Sequence, residues 1–296
     1  MNQEQMSDKI AHGNGFIAAL DQSGGSTPKA LRGYGVDDAS WSNEDEMFAA
    51  IHAMRSRVIT APCFGQGKVI GAILFEKTMD GEVDGRSTAD ALKDRGIVPF
   101  IKVDQGLAEE AGGVQLMKEL DKLDALLAKA KTRGMFGTKM RSVIKSANEG
   151  GINRLVAQQF EVGNRIADAG LMPILEPEYD ITAGDRAQGE DILLAEIQKG
   201  LAALPEGRQV MLKLSIPERP GHYNTLVEHP HVLRVVALSG GYSTDEACEK
   251  LSKNPGMIAS FSRGLLQDLR YDQSDEEFDR ALAAAIDKIV DASLAK

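Results

Sequence analysis

The chain has 296 residues, 43% hydrophobic and 26% charged, a make-up that excludes a disordered or collagen-like chain and supplies a large core. Its formal net charge of -10 argues against nucleic acid as a partner, although a local basic pocket for an anion is compatible with it. Two cysteines, Cys63 and Cys248, lie far apart without metal-ligand spacing, so neither a disulfide framework nor a cysteine zinc site is expected.

The start, MNQEQMSDKIAHG, is polar and lacks the apolar run of a signal peptide, and no stretch is apolar for long enough to cross a membrane. A cytoplasmic protein is expected. Phe16 to Leu20 then predicts a strand that ends at Asp21 and a loop rich in Gly and Ser. Asn43 to Ser56 carries Met47, Ala50, Ile51 and Met54 at helical spacing behind an Asn43 cap. Lys68 to Phe75 is a second strand, followed by Glu76 and the loop MDGEVDGRS. Ser87 to Arg95 is a short helix capped by Ser87 or Thr88 and stopped by Gly96. The third strand, Ile97 to Val103, carries Lys102 beside Asp104.

Gly106 and the Gly112-Gly113 pair break the chain before a predicted helix over Leu116 to Lys131. Met135 to Val143 reads as a fourth strand, with Lys139 and Arg141 two apart and so on one face. A long amphipathic helix over Ile152 to Ala169 ends at Gly170, and Leu171 to Glu178 makes a fifth strand with Glu176 and Glu178 on one face. After a helix over Asp191 to Leu204, the apolar run Arg208 to Ile216 forms the sixth strand around Lys213. Val232 to Ser239 is the seventh strand, entering Gly240-Gly241. Thr244 to Ser252 is helical, Met257 to Phe261 is an eighth strand, and Glu276 to Ala295 is a closing helix.

Eight strands alternating with helices, with no linker between them, predict one (β/α)8 TIM barrel spanning residues 1–296; an open doubly wound sheet is built from the same alternation. The positions of the odd polar residues favour the barrel. Lys213 in an apolar strand must be paired with acids, turn into a pocket or lose its proton, and the last option makes a nucleophile for a carbonyl. Alone, such a lysine is as well read as an edge or snorkelling residue, Asp21 as a loop cap and Lys102 as a partner of Asp104. In a barrel, however, Asp21, Lys102, Lys139, Arg141, Glu176, Glu178 and Lys213 converge at the carboxyl ends of the strands. The expected effect of so many cations is like-charge repulsion around Lys213, with the acids keeping the pocket tolerable, a combination that favours Schiff-base chemistry. After strands seven and eight, LSGG at Leu238 to Gly241 and FSRG at Phe261 to Gly264 both offer a Ser hydroxyl and Gly-flanked amides, the second adding Arg263, where TIM barrels commonly bind phosphate. His12, His52, His222, His229 and His231 form no convincing metal triad, so no metal and no cofactor is expected.

The chain resembles the class I, lysine-dependent fructose-1,6-bisphosphate aldolases, of the shorter bacterial branch, through LDQSGGSTPKAL, ILFEKT, GIVPFIKVDQG, TKMR, PILEPE, VMLKLS, LSGGYSTDEA and ASFSRG. The resemblance implies that Lys213 is the Schiff-base lysine, Glu176 the general acid and base, and Glu178 the second acidic residue of the motif, next to the lysine. It implies Asp21 for C–C bond cleavage, Lys139 beside the Schiff base, and Lys102 and Arg141 as cationic substrate contacts. Ser239, Gly240, Gly241, Ser262, Arg263 and Gly264 fall on one phosphate site, and Ser23 and Ser26 on contacts to the other. Three departures stand out. DQSGGS replaces the commoner acidic-Ser-Thr-Gly-Ser, changing Gln22 and Gly24; Arg263 follows Ser262 directly, earlier than in the vertebrate pattern; and DASLAK, ending at Lys296, carries no terminal tyrosine, so the expectation is either that another group serves enamine proton exchange or that this step is slower. The expected activity is reversible cleavage of fructose 1,6-bisphosphate by a homo-oligomer in glycolysis or gluconeogenesis. Another Schiff-base barrel enzyme, such as a transaldolase or keto-acid aldolase, and a non-catalytic sugar-phosphate sensor are the alternatives.

Overall fold

The computed structural model describes residues 1–295, so Lys296, on which the reading of the chain end closes, lies outside the described residues. Apolar runs buried on both faces must pair their backbone groups with one another, and here they do so as parallel strands. In chain order these are β1 Phe16–Leu20, β2 Val69–Leu74, β3 Val98–Lys102, β4 Gly137–Ile144, β5 Met172–Tyr179, β6 Val210–Ser215, β7 Val232–Leu238 and β8 Ile258–Ala259. Each strand is followed round the sheet by the next in sequence. The Ala19 amide in β1 donates to the Phe261 carbonyl beyond β8 at 3.3 Å, so the last strand returns to the first and the sheet is a nearly closed (β/α)8 barrel rather than an open sheet.

The principal helices are α1 Gln3–His12, α2 Ser26–Tyr34, α3 Glu44–Thr60, α4 Thr88–Asp94, α5 Leu123–Thr132, α6 Glu149–Asp168, α7 Arg186–Ala202, α8 Thr244–Leu251 and α9 Asp275–Leu294. Their starts follow local chemistry. The side chains of Asn43, Ser87, Asn148 and Ser243 each accept from an amide of the first turn, and Ser274 forms a capping box with Glu277. Ile152, Leu155, Val156 and Ile166 of α6 recur at helical spacing and are buried against the barrel. None of the described helices is long and apolar enough to cross a membrane.

The predicted helix over Leu116 to Lys131 begins only at Leu123. Ahead of it, Val114 and Gln115 pair antiparallel with Ile144 and Val143, Leu107 bridges Met117, and the Gln158 side chain bonds both the amide and the carbonyl of Met117. Long-range backbone pairing thus overrides the helix propensity of this segment, and Gly112 and Gly113, with φ of 63° and 73°, supply the left-handed turn that permits it. Two of these principal helices were not anticipated, α1 and α2. Met6 and Ile10 of α1 fill the floor of the barrel with Ile17, Val98, Phe100, Phe136, Ile174, Met211, Val236 and Ile258. The floor is apolar, and the opposite end is not.

Candidate active site

Side chains alternate along a strand, so the inward row of each barrel strand climbs from the floor toward the open end. In β5 that row runs Ile174, Glu176, Glu178; in β6 it runs Met211, Lys213; in β3, Phe100 gives way to Lys102; β4 contributes Lys139 and Arg141. The apolar members pack in the floor and the polar members line a cavity of about 1140 Å³ at the carboxyl ends of the strands. Cα pairing sets Lys102 opposite Lys139 and Arg141 opposite Glu176, so the neighbouring strands deliver their charges at matched heights.

Glu176 is the centre of the cluster. Its Oε1 lies 3.0 Å from Lys213 Nζ and its Oε2 lies 2.9 Å from Lys139 Nζ. Lys139 also lies 2.7 Å from Asp21 and 3.9 Å from Asp104, and Asp104 holds Lys102 at 2.7 Å. Lys139, Glu176 and Lys213 are each at most 4% exposed. The acids pair with the cations one by one, so that three ammonium groups are interleaved with three carboxylates, which is how buried charges are tolerated. Glu178 pairs with Arg141 Nε rather than with Lys213.

The electrostatics separate the roles. Burial pushes the Asp21 carboxyl up, but the charges of Lys139, Lys213 and Lys102 overcome it and hold Asp21 well below the usual carboxylate range. Burial pulls Lys139 down, and Asp21, Glu176 and Asp104 more than reverse this, holding it above an ordinary lysine. Lys139 is accordingly a fixed positive charge. Asp21 is a fixed negative one in the resting site.

Ser23, Ser26, Ser239, Gly240, Ser262 and Arg263 also line the cavity, together with Lys102 and Arg141. The loop after β1 is tied by the Ser26 hydroxyl, which donates to the Ser23 carbonyl at 2.8 Å and accepts from the Ser23 amide at 2.9 Å. Gly240 and Gly241 turn with φ of 63° and 135°, and a Cβ on Gly241 would stand 3.8 Å from the Arg263 guanidinium, so the loops after β7 and β8 close on each other. Gly241 and Gly264 lie outside the cavity lining; a Cβ on Gly264 would meet the Thr244 hydroxyl at 3.1 Å, which gives that glycine a packing role against α8. Among the described residues, no group of three or more His, Cys, Asp or Glu is placed to hold a metal ion.

Sequence reasoning passed over Asp104 as a site residue, although it anchors Lys102 and accepts from the Arg141 amide at 3.2 Å. Its position two residues beyond Lys102 at the end of a strand was the available signal. Arg55 was also missed: it lies fully buried on α3, among Ile51, Val58 and Ile59, and an arginine on an apolar helix face is the mark it leaves in the sequence. Burial pulls its guanidinium down to about 10, with Asp21 opposing, so it stays charged at neutral pH.

A family model described as fructose-bisphosphate aldolase class-I matches residues 3–192. Among solved structures, the fructose-bisphosphate aldolase of Plasmodium falciparum, crystallised with TRAP and a small-molecule inhibitor, superposes with a TM-score of 0.80 at 20% identity, over 99% of this chain and 95% of that one. A protein of Corynebacterium glutamicum superposes with a TM-score of 0.52 at 15% identity, over 98% and 92%.

Proposed function

Because the chain belongs to the class-I fructose-bisphosphate aldolase family, we propose that residues 1–296 form one catalytic domain that cleaves fructose 1,6-bisphosphate reversibly through a Schiff base on Lys213. The observation that carries this reading is the Glu176 carboxylate held between Lys213 and Lys139 at 3.0 and 2.9 Å. A lysine can attack a ketone only as the free amine, and Glu176 is within reach to take its proton and return it.

The steps follow from the charges. Lys213 Nζ adds to the C2 carbonyl carbon, and the resulting carbinolamine loses its oxygen as water on proton transfer from Glu176, leaving a cationic iminium. Asp21 then takes the C4 hydroxyl proton as the C3–C4 bond breaks, and the bonding electrons pass into the iminium to form a neutral enamine. Asp21 is a weak base in the resting site. As the iminium charge disappears, however, one of the cations that depress it is lost, so its proton affinity rises during the step that needs it. Glyceraldehyde 3-phosphate departs, the enamine is protonated at C3, and hydrolysis of the renewed iminium frees dihydroxyacetone phosphate and Lys213. Lys139, held cationic, keeps its proton throughout and stabilises the carboxylates beside it.

The test is borohydride reduction of the protein with dihydroxyacetone phosphate, chelator present throughout, followed by peptide mapping. A stable adduct on Lys213 that is lost in Lys213→Ala is the expected result. No adduct, or an adduct on Lys102 or Lys139, rules the reading out.

A further inference from the structure

Gln22 is where this sequence departs from the commoner acidic residue, and its surroundings suggest why an amide stands there. We propose that Arg55 and Gln22 set the direction of a hydrogen-bond chain that makes the Ser262 hydroxyl a donor to a phosphate group in the cavity. The inference rests on the proposed function for the nature of the anion.

Arg55 is fully buried, and its two terminal nitrogens reach different partners. One donates to the Thr78 hydroxyl at 2.7 Å, and the other to the Gln22 backbone carbonyl and, at 3.3 Å, to Gln22 Oε1. The Gln22 amide nitrogen reaches the Ala19 carbonyl at 3.4 Å and the Ser262 Oγ. A guanidinium only donates and a backbone carbonyl only accepts, so the amide has one allowed orientation, with its oxygen toward Arg55 and its nitrogen toward Ala19 and Ser262. Ser262 Oγ therefore accepts, and its own proton must go elsewhere. Among the described residues that hydroxyl has no other hydrogen-bond partner, and Ser262 lines the cavity beside Ser239, Gly240 and Arg263. A phosphate oxygen only accepts, which matches the proton on offer.

A glutamate at position 22 reverses the chain. Its carboxylate accepts from Arg55 and from the Ser262 hydroxyl alike, which turns the serine's lone pairs toward the phosphate. Gln22 is thus a positioning residue that acts through Ser262, joining the loops after β1 and β8.

The probe is inorganic phosphate, titrated calorimetrically into the full chain and its variants, with folding checked by circular dichroism. Gln22→Glu is expected to weaken binding by roughly tenfold, the loss typical of one charge-assisted hydrogen bond. Gln22→Met, which deletes the bonds without reversing them, costs less, and Arg55→Lys, unable to hold Gln22 and Thr78 together, gives an intermediate loss. The decisive readout is the Ser262→Ala background, in which Gln22→Glu should cost little more, because the hydroxyl it misdirects is gone. Additive losses there mean simple charge repulsion and overturn the proposal. Unchanged affinity in Gln22→Glu or in Ser262→Ala overturns it as well. Borohydride trapping run on the parent separates the two readings: absence of a Lys213 adduct removes the aldolase assignment, while the phosphate series still decides the role of Gln22.

Discussion

Lys139 pairs with Asp21 and Glu176 and lies at the edge of Asp104's reach, so this one ammonium group links the three carboxylates of the inner face. Replacing it by methionine leaves two buried carboxylates short of a partner, a loss of about 3–5 kcal/mol at neutral pH by comparison with other broken buried pairs. The pH dependence has a definite sign. Asp21 is depressed in the folded state, so its stabilisation is complete above the ordinary carboxylate value of about 4 and is lost as pH falls through the lower, folded value. Lys139 is raised, so its share is complete below about 10 and is lost only at higher pH. The gap in unfolding free energy between parent and Lys139→Met, followed by urea denaturation, should therefore be constant from about pH 5 to 9 and narrow below about pH 4. A gap that widened in acid would mean that Asp21 is not held ionised by this lysine. The lysines and glutamates of this cluster were legible in the sequence because charges in apolar runs are conspicuous. The carboxylates that neutralise them were only partly so: Asp104 could be read as a partner of Lys102 beside it, but its link to Lys139 and Arg141 exists only once β3 and β4 lie side by side.

Helix α1 shows what element-level patterning misses. With Met6 and Ile10 as its only large apolar residues, it carries too short a stripe to stand out, yet both side chains are buried in the barrel floor. Truncating Ile10 to alanine should cost about 2–5 kcal/mol, the range for a buried isoleucine, and lower the melting temperature accordingly. The cavity lies at the other end of the strands, so kcat and KM of the folded variant should match the parent; a changed KM would show that the floor sets the height of the charged rows. The helix predicted over Leu116 to Lys131 failed for the opposite reason. Its first half has good helix formers, but Val114 just ahead of it pairs with Ile144 and Met117 within it bridges Leu107, and no local pattern announces either partner. By contrast β1 spans the residues that apolar runs and turn signals marked, and the other central strands agree to within a few positions.

At the scale of the whole molecule, the alternation of strands and helices was readable, and because an open sheet shares that alternation, it was the polar residues recurring at the ends of many strands that pointed to a closed barrel. The closing contact itself is a meeting of residues from opposite ends of the chain, Ala19 and Phe261, and no local signal reports it. That junction has a consequence of its own. β8 is two residues long, and among the described residues one backbone hydrogen bond joins its exit to β1. The ring is therefore weakest along this line, and the groups on either side of it, Ser23 and Ser26 on one bank and Ser262 and Arg263 on the other, face the same cavity. A ligand held by both banks acts as a clasp, and thermodynamic linkage requires that it favour the joined state by the same factor by which joining favours the ligand. Amide hydrogen exchange reads this directly. The Ala19 amide should exchange faster than the Ala72 and Ile73 amides in the middle of β2, and should slow on saturation with an unreactive hexitol 1,6-bisphosphate, whose two phosphates can reach both banks; a rate indifferent to that ligand would mean that the ring stays shut without it.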